Sequence, residues 1–276
     1  MAIRLICDST MDAPAWVQQR FTVVPLTVCF GDTEYVDGVT LDRRRFYEML
    51  ISEKQVPTTS QAAPAAFEAV FSQVAQAGDS AVVLTLASKL SGTYQSAKIA
   101  AAEYDGIYIV DTETVSIGIG ILAQRAAELA DAGRSAAEIA ACLESEKRNV
   151  RLMAVVDTLT YLCRGGRLSK TAALAGGLLN IKPVLVLQDG EIRILGKGRG
   201  MKQAGGILTK QVAAENPDME KPVHFGYTGL EQGPLEDYMK SNPQFVQHNS
   251  TVSCIGSVIG THAGPGGVAL AFFNRR

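Results

Sequence analysis

The chain has 276 residues, 47% hydrophobic and 20% charged, with a formal net charge of -2, a balance that supports a real core in one large domain or, as favoured here, two smaller ones. With a pI near 6.0 it has no electrostatic footprint for nucleic acid or an anionic membrane, and at most transient membrane contact is expected. Five widely spaced cysteines give neither a disulfide framework nor a CxxC metal site and point to a reducing compartment.

In chain order, Met-Ala-Ile-Arg-Leu-Ile-Cys-Asp reaches a carboxylate too soon for a signal segment, and no apolar run is long enough for a bilayer, so a soluble, cytoplasmic protein is expected. Ile3 to Cys7 reads as a strand ending in Asp8-Ser9-Thr10, at the sheet edge where open α/β folds bind ligands; a plain Asx or Ser/Thr turn explains the same residues. Thr22 to Val28 reads as a strand whose Pro25 implies an edge or bulge. Asp37-Gly38 marks a turn, and Leu41 to Ile51 carries helical spacing. Pro57-Thr58-Thr59-Ser60-Gln61 is a hydroxyl-rich turn before a helix opened by Pro64.

Ala81 to Leu86 suits a strand buried on both faces of a parallel sheet. Ser88-Lys-Leu-Ser-Gly-Thr-Tyr-Gln-Ser96 then joins it to a helix predicted from Thr93, with Ser91 as N-cap. Such a helix start, with Gly92 open to close approach and hydroxyls from Ser91 and Thr93, can hold an anion, phosphate or carboxylate alike. On this turn alone an ordinary capped helix with its hydroxyls satisfied locally is the favoured reading. Two such turns facing one crevice would grip an acidic head group from both sides.

Gly106 to Val110 reads as a strand and Ser116 to Ala132 as a helix. Its Gly118-x-Gly120 matches the letters of a dinucleotide fingerprint in the wrong context, because a polar segment separates it from the strand; the glycines are assigned to close packing or ligand room. After a helix at Ala136 to Asn149 the pattern changes, and the domain boundary is placed there: residues 1–150 form an N-terminal parallel-sheet, Rossmann-like α/β domain, and 151–276 a C-terminal α/β domain with a mixed sheet. The second half offers a strand at Leu152 to Val156, a basic glycine loop at Cys163 to Leu168, a small apolar stretch at 172–180, and a hairpin turned by Asp189-Gly190 and ending at Leu195. Lys197, Arg199 and Lys202 follow. The last clear strand is Thr251 to Ile255, before a glycine-rich loop at 259–266 that exposes His262.

None of the three histidines has metal-ligand spacing, and neither a G-x-S-x-G elbow nor a G-x-x-x-x-G-K-[ST] phosphate loop occurs. The stretches Asp8-Ser9-Thr10, Val24-Pro25-Leu26, Asp37-Gly38, Pro57 to Gln61, Leu90 to Ala97, Asp157-Thr158-Leu159, Gly165-Gly166-Arg167, Asn180-Ile181-Lys182-Pro183 and Gly260-Thr261-His262, in this order, resemble the bacterial DegV family along nearly the whole chain. The resemblance implies two α/β domains with a long-chain fatty acid between them, its carboxyl held by Thr59 and Ser91, and no other cofactor. It further implies a subunit that presents the acid to a separate fatty acid kinase. The candidate ligand residues are Thr59, Ser60, Ser91, Gly92, Thr93, Arg167 and His262, with Lys197, Arg199 and Lys202 for partner docking. Ala13, Ala62, Ala63 and Ala263 depart from the family pattern. The alternative is a hydrolase or acyltransferase with Ser91 as nucleophile and His262 approaching in space.

Overall fold

The computed structural model describes residues 2–53, 56–169 and 180–275. The stretch expected to be small and apolar at 172–180 lies, apart from Asn180, outside the described residues. Strand β1 (Ile3–Asp8) is followed by a short helix α1 (Ala15–Gln18) and by β2 (Phe21–Val24). The strand expected to run through Pro25 stops there instead. Proline has no N–H for a ladder, and the chain resumes as β3 (Thr27–Phe30) in a different sheet, antiparallel to β4 (Thr33–Val36), which the sequence reading missed.

Helix α2 (Arg43–Ser52) begins at Asp42, whose carboxylate accepts the Arg45 N–H. The expected hydroxyl-rich turn contains a strand, β5 (Thr58–Ser60), paired with β3 so that Thr59 lies opposite Val28. Helix α3 (Pro64–Gln76) therefore takes no hydroxyl cap; its N-cap is Ala63. Strand β6 (Ser80–Thr85), helix α4 (Thr93–Ala101), strand β7 (Ile107–Asp111) and helices α5 (Ile117–Asp131) and α6 (Ala136–Glu146) complete the alternation. The parallel sheet has the order β2-β1-β6-β7. Its strand β6 is buried from Ala81 onward, as expected for a sheet covered on both faces.

Helix α5 is the central helix, with 11 of its 15 residues buried. Its glycines serve close packing: a Cβ on Gly120 would stand 2.1 Å from the Asp12 carbonyl oxygen and one on Gly118 2.1 Å from Thr114 Oγ1. Both glycines lie inside the helix, so they cradle no pyrophosphate at its start.

Beyond residue 149 the strands join a third sheet. It contains β8 (Val150–Val155), β9 (Ile181–Gln188), β10 (Glu191–Arg199), β11 (His224–Tyr227), β12 (Thr251–Cys254) and β13 (Val268–Phe273) in the order β10-β9-β8-β13-β11-β12. All neighbours are antiparallel except β11 and β12, so the sheet is mixed. Asp189 and Gly190 turn the β9–β10 hairpin with φ of 53° and 73°, the left-handed pair that matches strand twist. Helices α7 (Thr160–Arg164), α8 (Gly200–Ala214), α9 (Gly233–Ser241) and α10 (Ser257–Ala263) complete the described α-helices.

Three expectations are corrected. Strand β10 runs past Leu195 to Arg199, across an irregularity between Ile194 and Gly196, so Lys197 is part of the strand and does not follow the hairpin. The expected loop around His262 is the helix α10, whose last turn carries a half-buried His262. Strand β13, wholly buried and central in its sheet, was not foreseen. No sheet contains strands from both halves, yet the core is continuous: Ile117 and Ile119 share one apolar cluster with Leu152, Leu187 and Ala269.

Candidate ligand-binding site

Helix α10 is suspended from the N-terminal half. Its N-cap Gly256 donates its N–H to both oxygens of the Asp12 carboxylate, at 3.1 and 3.2 Å, and Ser257 donates its hydroxyl to Asp37. Negative charge at a helix start is favourable. Asp12 is fully buried, and burial raises its pKa against the pull of Arg43 at 2.8 Å and of the Ser116 hydroxyl at 2.7 Å. Held at one end, α10 delivers His262 at the other, where Nε2 lies 2.9 Å from Thr59 Oγ1 on β5.

Beneath α10 is a cavity of about 130 Å³. Its walls are mostly aliphatic: Leu26, Leu86 and Leu90 from the first half, Leu152, Ala154 and Leu187 from the mixed sheet, Val258 and Ile259 from α10. Thr59, Ser60, Gln61, Ser91, Arg167 and His262 also line it. The Asp8-Ser9-Thr10 turn shapes the wall and does not line it. Buried Asp8 accepts the N–H and hydroxyl of Thr10 and the Leu86 N–H, at 2.9, 2.6 and 2.7 Å, and Ser9 Oγ accepts the Leu26 N–H at 3.0 Å. Burial pushes the Asp8 pKa up to about 6 despite these bonds.

The electrostatics of the polar group favour an anion. Arg167 donates from Nε to the Leu90 carbonyl at 3.0 Å and from Nη1 to the Gly165 carbonyl at 2.6 Å, which fixes a guanidinium beside the cavity. Burial, with the Arg167 charge second, lowers the His262 pKa to about 4, so the ring is neutral at pH 7. Its Nδ1 is buried without a partner.

The DegV family model, described as that of an uncharacterised protein family, matches residues 2–275. The chain belongs to the DegV family. A DegV domain-containing protein of Caldanaerobacter subterraneus is 35% identical over 98% of both chains. Among solved structures, a DegV-family protein from Thermus thermophilus, described by its fatty acid binding, is 32% identical with a TM-score of 0.88 over 100% of both chains. A stearic acid-binding protein from Eubacterium ventriosum is 28% identical with a TM-score of 0.88, over 99% of this chain and 98% of that one.

In this DegV-family chain the fold brings Thr59, Ser60, Ser91, Arg167 and His262 to one cavity. Gly92 and Thr93 stand behind it: neither is among the lining residues, and Thr93 is fully buried. Ser91 is not the N-cap of α4. Gly92 is, and Ser91 Oγ accepts the Thr93 N–H at 3.3 Å from one position earlier. The Ser91–His262 contact that a nucleophile needs is not formed, since Ser91 Oγ meets Thr93 Oγ1 at 3.0 Å while His262 meets Thr59. Arg199 and Lys202 are exposed and Lys197 half-buried, and none of the three lines the cavity.

Sequence reasoning passed over Gln61 as a site residue although it stands in the Thr-Thr-Ser-Gln run. Its Nε2 donates to Ser96 Oγ at 2.9 Å, and its Oε1 occupies the space a Gly92 side chain would need. Gln61 thus pins the Thr59 turn to the Ser91 turn. Among the described residues no group of three or more His, Cys, Asp or Glu is placed to hold a metal, and no helix is long and apolar enough to cross a membrane.

Proposed function

We propose that this chain binds a long-chain fatty acid in the cavity under α10, with the carboxylate at Thr59 and Ser91 and the tail along the aliphatic walls. The observation that carries this reading is one cavity with aliphatic walls and a polar group that includes the Thr59 and Ser91 hydroxyls, a neutral imidazole and a fixed guanidinium. Apolar burial, about 0.8 kcal/mol per methylene, supplies the affinity, and the polar group fixes which end of the ligand sits where. The fatty acid and stearic acid named for the two solved relatives are ligands of this chemistry.

On this reading the protein is a cytoplasmic carrier and no enzyme. Its two domains divide near residue 150 and close on the acyl chain. A separate kinase converts the presented carboxyl to an acyl phosphate, docking at Lys197, Arg199 and Lys202. Hydrogen bonds to a charged group contribute about 1.5–3 kcal/mol, so Thr59→Ala and Ser91→Ala should each weaken fatty acid binding in a direct titration, and the double variant further. Unchanged affinity in a folded double variant would remove the head-group assignment.

A further inference from the structure

The direction of the Ser91 hydroxyl is set from behind the cavity wall. Thr93 is fully buried, and its Oγ1 lies 3.0 Å from Ser91 Oγ. That oxygen also receives the Ala62 N–H at 3.4 Å, while Ser91 Oγ receives the Thr93 N–H at 3.3 Å. A hydroxyl has one proton to give and two lone pairs with which to receive.

Two proton arrangements satisfy the Ser91–Thr93 contact, and they are not equivalent. If Ser91 gives its proton to Thr93, then Thr93 Oγ1 holds two donors and its own proton is buried without an acceptor, a costly state. If Thr93 gives its proton to Ser91, the Thr93 O–H, the Thr93 N–H and the Ala62 N–H all have acceptors. Both lone pairs of Ser91 Oγ are then occupied by the Thr93 N–H and O–H. The remaining Ser91 proton is left for the cavity, and it can only be donated.

We infer that Thr93 is a positioning residue that commits Ser91 to donate to an anionic oxygen. It never touches the ligand. Gln61 supports the same device: its bond to Ser96 holds the β5–α3 connection against α4, which keeps the Ala62 N–H on Thr93 Oγ1. The inference rests on the fatty acid reading and adds to it the reason why an acid is preferred over an uncharged lipid with the same tail.

The test compares Thr93→Val, which removes the hydroxyl at similar volume, with Thr93→Ser, which restores it. Palmitic acid and the primary alcohol of equal length are titrated into each, and the bound carboxyl of labelled palmitic acid is followed by carbon NMR against pH. Donors to the charged form hold a carboxyl pKa down. Thr93→Val is expected to lose about tenfold in affinity for the acid, to change little for the alcohol, and to raise the pKa of the bound carboxyl; Thr93→Ser is expected to reverse both effects. Should the valine variant not fold, Thr93→Ala carries the same readouts. Equal losses for acid and alcohol, or an unmoved carboxyl pKa in a folded variant, would overturn the role of Thr93 alone. A wild-type protein that bound neither lipid would overturn the fatty acid reading itself.

Discussion

His262 and Thr59 meet at 2.9 Å although 203 residues of chain separate them. The contact depends on two anchors: β5, which fixes Thr59 opposite Val28, and the Asp12 carboxylate, which holds the start of α10 through the Gly256 N–H. Each half of the chain thus supplies one partner of this contact, and residues of both halves line the cavity.

A second seam histidine gives the protein a measurable response to acid. His224 on β11 is buried, bonds Gln124 of α5 at 2.9 Å, and has its pKa lowered to about 4 by burial. The unfolded chain takes up this proton near pH 6.5. The neutral ring's contribution is therefore whole above about pH 6.5 and is lost as pH falls toward 4, by roughly 3 kcal/mol. Asp8 acts in the opposite sense, because its raised pKa of about 6 makes its contribution grow as pH falls. Denaturant titrations at pH 7 and pH 4.5 should show a smaller acid loss for His224→Gln than for wild type, and equal losses would contradict this role for His224.

Close packing at α5 predicts a large effect from a single methyl group. A Cβ on Gly120 would meet the Asp12 carbonyl oxygen at 2.1 Å and His224 Nδ1 at 3.2 Å, and a backbone oxygen cannot rotate away. Gly120→Ala should destabilise by about 1–3 kcal/mol or more, despite alanine's better helix propensity, and should disturb α10 through Asp12. Thermal unfolding measures this, and an unchanged or raised midpoint would show that the seam is not tightly packed there.

The proposed partner docking is separable from ligand binding at Arg199. Its side chain is exposed where β10 meets α8, away from the cavity lining, and exposed cations add little stability. Arginine can clamp phosphate oxygens with paired hydrogen bonds. If the proposed function holds, Arg199→Ala retains fatty acid binding and loses acyl phosphate formation with the partner kinase. Normal activity would make the cluster plain surface, and lost binding would place Arg199 in the pocket.

Much of this was legible in the sequence because local signals agreed with the final fold. The apolar run at Ala81, the Asp189-Gly190 turn and the misplaced Gly118-x-Gly120 each carry their meaning within a few residues. Strand β13 was hidden because Ala269 and Ala271 lack β-branching, and α10 because two glycines and a histidine read as loop. What stabilises α10 lies more than 200 residues away, in Asp12. The candidate site was legible as two hydroxyl-bearing turns; the different placement of Ser91 and Thr93 was not, since burial decides which of two neighbouring hydroxyls reaches the cavity.

The fatty acid reading is tested most directly by mass spectrometry of the wild-type protein purified from a lipid-containing host. A native spectrum should exceed the chain mass by one long-chain fatty acid, the denatured protein should return to the chain mass, and the organic extract should contain the free acid. An empty extract, or an acyl adduct that survives denaturation on Ser91, would contradict the account.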